Sequence, residues 1–174
     1  MLICGKPGVG KTTLIKKIAE NLEEKAAGFY TEEIREEKRR VGFKVKNLKG
    51  REGILAHINS RSPYRVGKYK VNLKEFEEIS LPSIEEGIKE GKTIIIDEIG
   101  KMELYSKKFR QLVMQALQSP NNVIATVPEY RNEFLEKIRE REDVKIVRIT
   151  RENREKLWGD SLKIGGIRED RIID

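Results

Sequence analysis

The sequence is poor in the residues that staple or anchor a chain. It has one cysteine, Cys4, in 174 residues, so no internal disulfide can form and an intracellular setting is expected. It has one histidine, His57. Without a Cys/His cluster no structural zinc is implied, and His57 alone reads as a structural or surface residue. No apolar run reaches the roughly 18–20 residues of a membrane span. Met1 leads straight into Leu2-Ile3-Cys4 and a glycine-rich loop, with no signal-peptide pattern, so the expected location is cytoplasmic. Internal repeats and low-complexity segments are absent too. Aromatic residues make up only 6%, and Phe29, Tyr30 and Phe43, at strand spacing, read as core rather than as base-stacking platforms.

What is present is charge. Charged and apolar residues each make up 37%, interleaved at regular spacings, which is the pattern of a folded, heavily solvated surface rather than of disorder. The length fits a single domain, residues 1–174, whose core needs no staples. The formal net charge is +7, and residues 35–74 hold 13 Lys/Arg against 3 Asp/Glu, a local net of +10. Such a stretch attracts phosphate-bearing partners, a phosphorylated acceptor or a nucleic acid.

Apolar periodicity gives the element order. Leu2 to Cys4 is a short strand, and a helix over about 11–25 carries the stripe Leu14, Ile15, Ile18, Ala19 and Leu22. Residues 29–35 and 41–48 read as a hairpin around a polar turn at 36–40, although the turn lacks an Asn-Gly signal. Loops and short strands are expected over 49–72, and short helices near 73–79 and 83–90. Thr93-Ile94-Ile95-Ile96-Asp97 is the apolar run of a strand buried on both faces, ending in a carboxylate. A helix over about 106–118, a strand over 122–127 stopped by Pro128, a helix over about 132–141, a strand over 145–149 and a helix over 152–157 follow. The tail from Gly159 is ambiguous. The basic region over 28–80 interrupts the alternation as a β-rich insertion.

Gly5-Lys6-Pro7-Gly8-Val9-Gly10-Lys11-Thr12 has the full G-x-x-x-x-G-K-[ST] pattern, after a strand and before a helix. The residue types follow from the chemistry. Glycines let backbone N–H groups close around anionic oxygens, and the helix start adds its positive dipole end. Lys11 reaches the β- and γ-phosphates, the Thr12 hydroxyl ligates Mg²⁺, and Thr13 caps the α-phosphate or the helix start. Lys6 and Pro7 belong to the cradle by position only. Together with the strand–helix alternation, this predicts an α/β, three-layer P-loop fold with a mainly parallel central sheet.

A phosphate cradle needs a second carboxylate, and Asp97 at the end of a buried strand supplies it to the magnesium through water. Glu98 follows at once and is placed to polarise the attacking water, help typically worth about 10²–10⁴ in rate. The adjacency points to the class with a glutamate base, in which another strand lies between the loop strand and the Asp strand. Residues 122–127 are the candidate, with Thr126 facing the γ-phosphate as a sensor. Further candidates are Lys101, to touch phosphate, with Glu103 to orient it. Asn153 and Arg154 follow the last parallel strand, and Arg154 is the candidate arginine finger. Glu32 and Glu33, at the start of the hairpin, are candidates for metal-linked water or an acceptor hydroxyl, weighed against a solvated strand edge.

These strings occur in a known order. Gly-x-Pro-Gly-Val-Gly-Lys-Thr-Thr-Leu, Gly28-Phe29-Tyr30-Thr31-Glu32-Glu33, Arg40-Val41-Gly42-Phe43, Asp97-Glu98-Ile99-Gly100-Lys101-Met102-Glu103-Leu104, Ala125-Thr126-Val127-Pro128 and Thr150-Arg151-Glu152-Asn153-Arg154 resemble the THEP1 family of nucleoside triphosphatases from about residue 1 to 157. The Asp-Glu-Ile-Gly-Lys-Met-Glu string is the specific part. The resemblance implies a RecA/AAA-related sheet. It also implies slow, base-tolerant hydrolysis of ATP, GTP and other triphosphates to diphosphate and phosphate. Two other readings stay open here: a small-molecule kinase using the same loop, and a nucleic-acid-associated switch.

Overall fold

The computed structural model describes residues 1–161 and 163. In chain order the elements are β1 (Leu2–Cys4), α1 (Lys11–Leu22), β2 (Ala26–Glu36), β3 (Arg39–Asn47), β4 (Glu52–His57), β5 (Arg65–Val66), β6 (Tyr69–Val71) and α2 (Leu73–Glu90). They continue with β7 (Thr93–Ile96), α3 (Lys107–Gln118), β8 (Val123–Val127), α4 (Glu133–Arg139), β9 (Ile146–Arg148) and α5 (Arg154–Gly159). All nine strands join one sheet in the order β5-β6-β4-β3-β2-β7-β8-β1-β9. The five strands β2, β7, β8, β1 and β9 run parallel, and β3, β4, β6 and β5 extend the sheet antiparallel from β2. The fold is α/β with a mixed sheet. The ambiguous tail from Gly159 lies largely outside the described residues.

Strand alternation builds three layers. Leu2, Ile94, Ile96, Ala125 and Val127 face one side with Phe76, Phe109, Leu135 and Ile138 of α2, α3 and α4. Their chain neighbours Ile3, Ile95 and Ile124 face the other side with Leu14, Ile15 and Ile18 of α1. A residue period of two sends successive side chains to opposite faces, so the central strands read as continuous apolar runs. Each such side chain, fully buried, contributes about 1.5–3 kcal/mol.

β8 lies between β1 and β7, and β9 flanks β1 on its far side, as the glutamate-base reading expects. The region from residue 28 pairs into the same sheet: β2 runs parallel to β7 from Ala26↔Thr93 to Phe29↔Ile96. Its tip is a two-residue turn, with Glu37 at φ 46 and Lys38 at φ 67. That is the backbone of a tight hairpin turn without its usual Asn-Gly, and the Arg35 guanidinium steadies it by donating to the Lys38 carbonyl at 3.1 Å.

One expectation fails. In place of short helices near 73–79 and 83–90, α2 is a single 18-residue helix running through Pro82. Pro82 lies on the exposed side, as does Glu78, whose carbonyl loses its partner to the proline. That carbonyl is on the solvent side, while the buried stripe Phe76, Ile79, Ile84 and Gly87 continues unbroken on the other side. His57 ends β4, and its ring accepts the Asn59 N–H at 3.2 Å, so it is a structural residue at the strand end.

Candidate active site

The loop between β1 and α1 is shaped by what surrounds it. A Cβ on Gly5 would lie 2.5 Å from the Ile149 carbonyl oxygen, so only glycine lets the loop leave the sheet beside β9. Gly10 has φ 109 and caps α1 from the left-handed region. A Cβ there would meet the Trp158 ring at 2.5 Å, so α5 lies across the back of the loop. Val9 is buried in the core on the α1 side and anchors the loop from below. Lys11 Nζ donates to the carbonyls of Gly5 at 2.8 Å and Lys6 at 3.2 Å, which holds its charge inside the loop.

Asp97 follows β7 and is 2% exposed. Its backbone N–H donates to the Phe29 carbonyl at 3.1 Å, tying it to β2. Thr126 donates its hydroxyl to Asp97 Oδ1 at 2.5 Å, while Oδ2 is buried without a hydrogen-bond partner. Burial pushes the carboxyl pKa up; the Thr126 and Thr12 hydroxyls, the Thr31 backbone and the Lys11 charge pull it back. A buried, unpartnered carboxylate oxygen close to a threonine hydroxyl is a donor set that suits a hard cation. Among the described residues no group of three or more His, Cys, Asp or Glu is arranged to hold a metal; the donors at this point of the cleft are Thr12 and Asp97.

Glu98 is half-buried, and Glu103 is 4% exposed. A Cβ on Gly100 would lie 2.7 Å from Glu98 Oε1 and 2.9 Å from Glu103 Oε2, so the two carboxyls share the space above one glycine. Burial raises both pKa values, Glu98 further through Asp97 and Glu103 well above the ordinary range, further through Glu98. The Tyr130 hydroxyl is buried without a partner and is pushed up to about 12 by burial and then by Glu103 and Glu98.

Gly5, Pro7, Gly8, Gly10, Lys11, Thr12, Thr13, Asp97 and Glu98 line one cleft of about 880 Å³. The other sequence candidates stand elsewhere. Lys6 and Val9 do not reach the cleft wall, and Thr126, bonded to Asp97, does not line the cleft either. Lys101 lies over the Tyr130 ring at 4.8 Å, outside the cleft, because the aromatic face attracts its charge. Arg154 stacks on Trp158 at 5.3 Å at the β9 end, also outside it. The sequence reading missed the rest of the lining: Lys16 of α1, Thr31, Arg40 and Phe43 of the hairpin, which join Glu32 and Glu33, and Glu129 and Tyr130 after β8. The Gly28-Phe29-Tyr30-Thr31-Glu32-Glu33 and Arg40-Val41-Gly42-Phe43 strings pointed toward it without placing it.

Two outcomes follow from the buried carboxyls. Thr126→Val leaves Asp97 Oδ1 without its donor. It should lower stability by about 1.5–3 kcal/mol and raise the Mg²⁺ concentration needed for half-maximal phosphate release; an unchanged Tm and Mg²⁺ profile would contradict the geometry. Glu103 holds its proton in the fold at pH values where an unfolded glutamate, with its ordinary 4.5, has lost it. Its burial therefore supports the fold below that value and withdraws support as pH rises through the raised one. Glu103→Gln should raise Tm over the parent at about pH 9, with the gap closing near about pH 4; a gap that widens toward acid reverses the sign.

A family model described as NTPase matches residues 1–162. The chain is 52% identical over 164 residues to "Nucleoside-triphosphatase THEP1" of Thermotoga maritima, covering 94% of each chain. It is 42% identical to human "Cancer-related nucleoside-triphosphatase", covering 92% of this chain and 93% of that one. The crystal structure of THEP1 from Aquifex aeolicus superposes with a TM-score of 0.88 at 42% identity, over 96% of this chain and 99% of that chain. The solution structure of a human cancer-related nucleoside triphosphatase gives 0.80 at 39% identity, over 95% and 96%. With its P-loop, its Asp97–Glu98 pair and these relatives, the chain belongs to the NTPase family that includes the THEP1 nucleoside-triphosphatases.

Proposed function

We propose that the cleft hydrolyses nucleoside triphosphates, ATP and GTP among them, to diphosphate and phosphate in a Mg²⁺-dependent reaction. The observation that carries this is the convergence of Lys11, Thr12, Asp97 and Glu98 on one cleft at the C-terminal ends of β1 and β7. The glycine loop and the α1 N-terminus bind the phosphates, with Lys11 on the β- and γ-oxygens and Thr13 at the α-phosphate. Thr12 and Asp97 would hold Mg²⁺, which when bound neutralises charge on the β- and γ-oxygens. Glu98 accepts a proton from water as the water oxygen bonds to the γ-phosphorus and the bond to the bridging oxygen breaks, releasing diphosphate.

Slow turnover with tolerance of several bases is the part of this reading that the family resemblance implies. Within the basic stretch, Arg35 and Arg40 pair with Glu33, Lys44 with Glu32 and Glu52, Lys46 with Glu52, and Lys49 with Glu86. That pairing reduces the field offered to a nucleic acid or phosphorylated acceptor. No described helix is long and apolar enough to cross a membrane, and with Cys4 the one cysteine we place the enzyme in the cytoplasm. The test is phosphate release from ATP, GTP, CTP and UTP with Mg²⁺ and no acceptor. Release from several nucleotides, abolished by chelation, is expected; binding without release would end the hydrolase reading.

A further inference from the structure

Lys11 and Thr12 would meet the triphosphate from the loop side, where Thr12 and Asp97 would hold Mg²⁺. The strand order leaves the other side to the hairpin. From β1 the sheet runs through β8 and β7 to β2 and then β3. In an in-line displacement the attacking water stands opposite the leaving diphosphate. On the hydrolase reading the attacking water lies by Glu98, which follows β7, and β2 and β3 are the next strands on that side.

Arg40 is the arginine of the described residues that opens onto the cleft there. A bulge puts it in place. Ile34 pairs with Gly42 and Arg35 with Arg40, so Val41 is an extra residue in β3. An extra residue resets the alternation, and Arg40 faces the same side as Phe43, over whose ring its guanidinium lies at 5.1 Å. Its Nη1 donates to Glu33 Oε1 at 2.8 Å and its Nε to the Tyr69 hydroxyl at 3.0 Å. Nη2 makes no hydrogen bond among the described residues, and the side chain is 44% exposed. An exposed pair of this kind is weak and exchanges readily. Lys16 of α1, a further cation lining the cleft, is closely engaged by Glu32, and Lys44 competes for the same carboxylate.

We propose that Arg40 is a catalytic arginine supplied within the chain, which leaves Glu33 to bind the γ-phosphoryl oxygens as the bond to the diphosphate breaks. This rests on the hydrolase reading above. It moves the arginine-finger role from Arg154, which lies at the opposite end of the site, stacked on Trp158. The planar fork of a guanidinium matches two equatorial oxygens of the transferring group, which a lysine cannot do. Glu33 is a positioning residue that parks the arginine at the rim. Turnover then includes the exchange of one ion pair for another.

The experiment compares the full-length parent with Arg40→Ala, Arg40→Lys and Arg35→Ala. It measures kcat, KM, ADP affinity, and affinity for Mg²⁺-ADP with aluminium fluoride as transition-state mimic. Arg40→Ala should lower kcat by about 10²-fold or more, toward the roughly 10³–10⁵ that such arginines supply. KM and ADP affinity should stay within about threefold, and the tight fluoroaluminate complex should be lost. Arg35→Ala breaks the other pair of Glu33 and leaves Arg40, so it should behave as the parent. Three results overturn the proposal: kcat of Arg40→Ala within about threefold of the parent, an equal fall in Arg35→Ala, or a raised KM with kcat unchanged. Should Arg40→Ala unfold, Arg40→Lys keeps the charge beside Glu33, and full kcat in that variant also overturns it. No phosphate release by the parent would instead overturn the hydrolase reading.

Discussion

Glu98→Gln should abolish phosphate release and leave nucleotide binding intact. The substitution keeps the side-chain shape and removes the one half-buried carboxylate that lines the cleft beside Asp97. Two environments act on that carboxylate. Burial and the neighbouring Asp97 push its pKa up, while the Lys11 charge pulls it down. A base whose pKa is raised from its ordinary value is better matched to taking a proton from water near neutral pH. Loss of such a base costs about 10²–10⁴ in kcat. Binding should survive because the cradle is backbone, Lys11 and Thr12. The readout is single-turnover phosphate release beside a nucleotide titration. Trp158, the one tryptophan, packs against Gly10 of the cradle, so its emission reports that titration. Release from Glu98→Gln at the parent rate would remove Glu98 as the base.

Gly28→Ala should unfold the protein or come close to it. Gly28 pairs with Ile95 where β2 joins β7, at φ 125. A Cβ there would stand 1.9 Å from the Ile95 carbonyl oxygen, 2.8 Å from its carbon and 2.9 Å from its nitrogen. All three atoms are backbone in the middle of the sheet and cannot rotate away. The left-handed φ adds strain for any L side chain. Ser83 of α2 answers both backbone groups of Gly28, accepting its N–H at 2.8 Å and donating to its carbonyl at 2.9 Å. The expected loss is about 4 kcal/mol or more, a large part of the roughly 5–15 kcal/mol of a domain. Urea unfolding reads it. Ser83→Ala, which only removes a partner from buried groups, should cost about 1–3 kcal/mol. An alanine variant as stable as the parent would mean that β2 leaves β7 differently from this description.

The phosphate loop was legible because its chemistry is local: glycines, a lysine and a hydroxyl at fixed spacing between a strand and a helix. Asp97 was legible because a strand buried on both faces is an unbroken apolar run, and a carboxylate ends it. The position of β8 between β1 and β7 followed from the Asp97–Glu98 adjacency. What could not be read depends on distant contacts. Pro82 breaks a helix in isolation, and only burial of Phe76 and Ile84 against the sheet keeps α2 whole. The face that Arg40 presents depends on one unpaired residue in a ladder, which alternation counted along β3 misses. Glu103 sits in a polar string, and nothing local says that it is buried above Gly100 beside Glu98. Tyr130 comes to the site only through the turn after β8.

The place of β1 in the sheet sets a timetable for chain growth. Its ladder partners are β8 and β9, with Leu2 opposite Ala125 and Ile146. The strand that leads into the phosphate loop is made before both neighbours and finds them only after more than a hundred further residues have been joined. Contacts this distant in sequence close late and slowly. The hairpin and α2, whose partners are near in sequence, have no such delay. A nascent chain can therefore carry the whole phosphate-loop sequence, as well as Asp97 and Glu98, and still lack the sheet that holds them together. Nucleotide affinity is then gained in one late step, when β8 and β9 arrive on either side of β1.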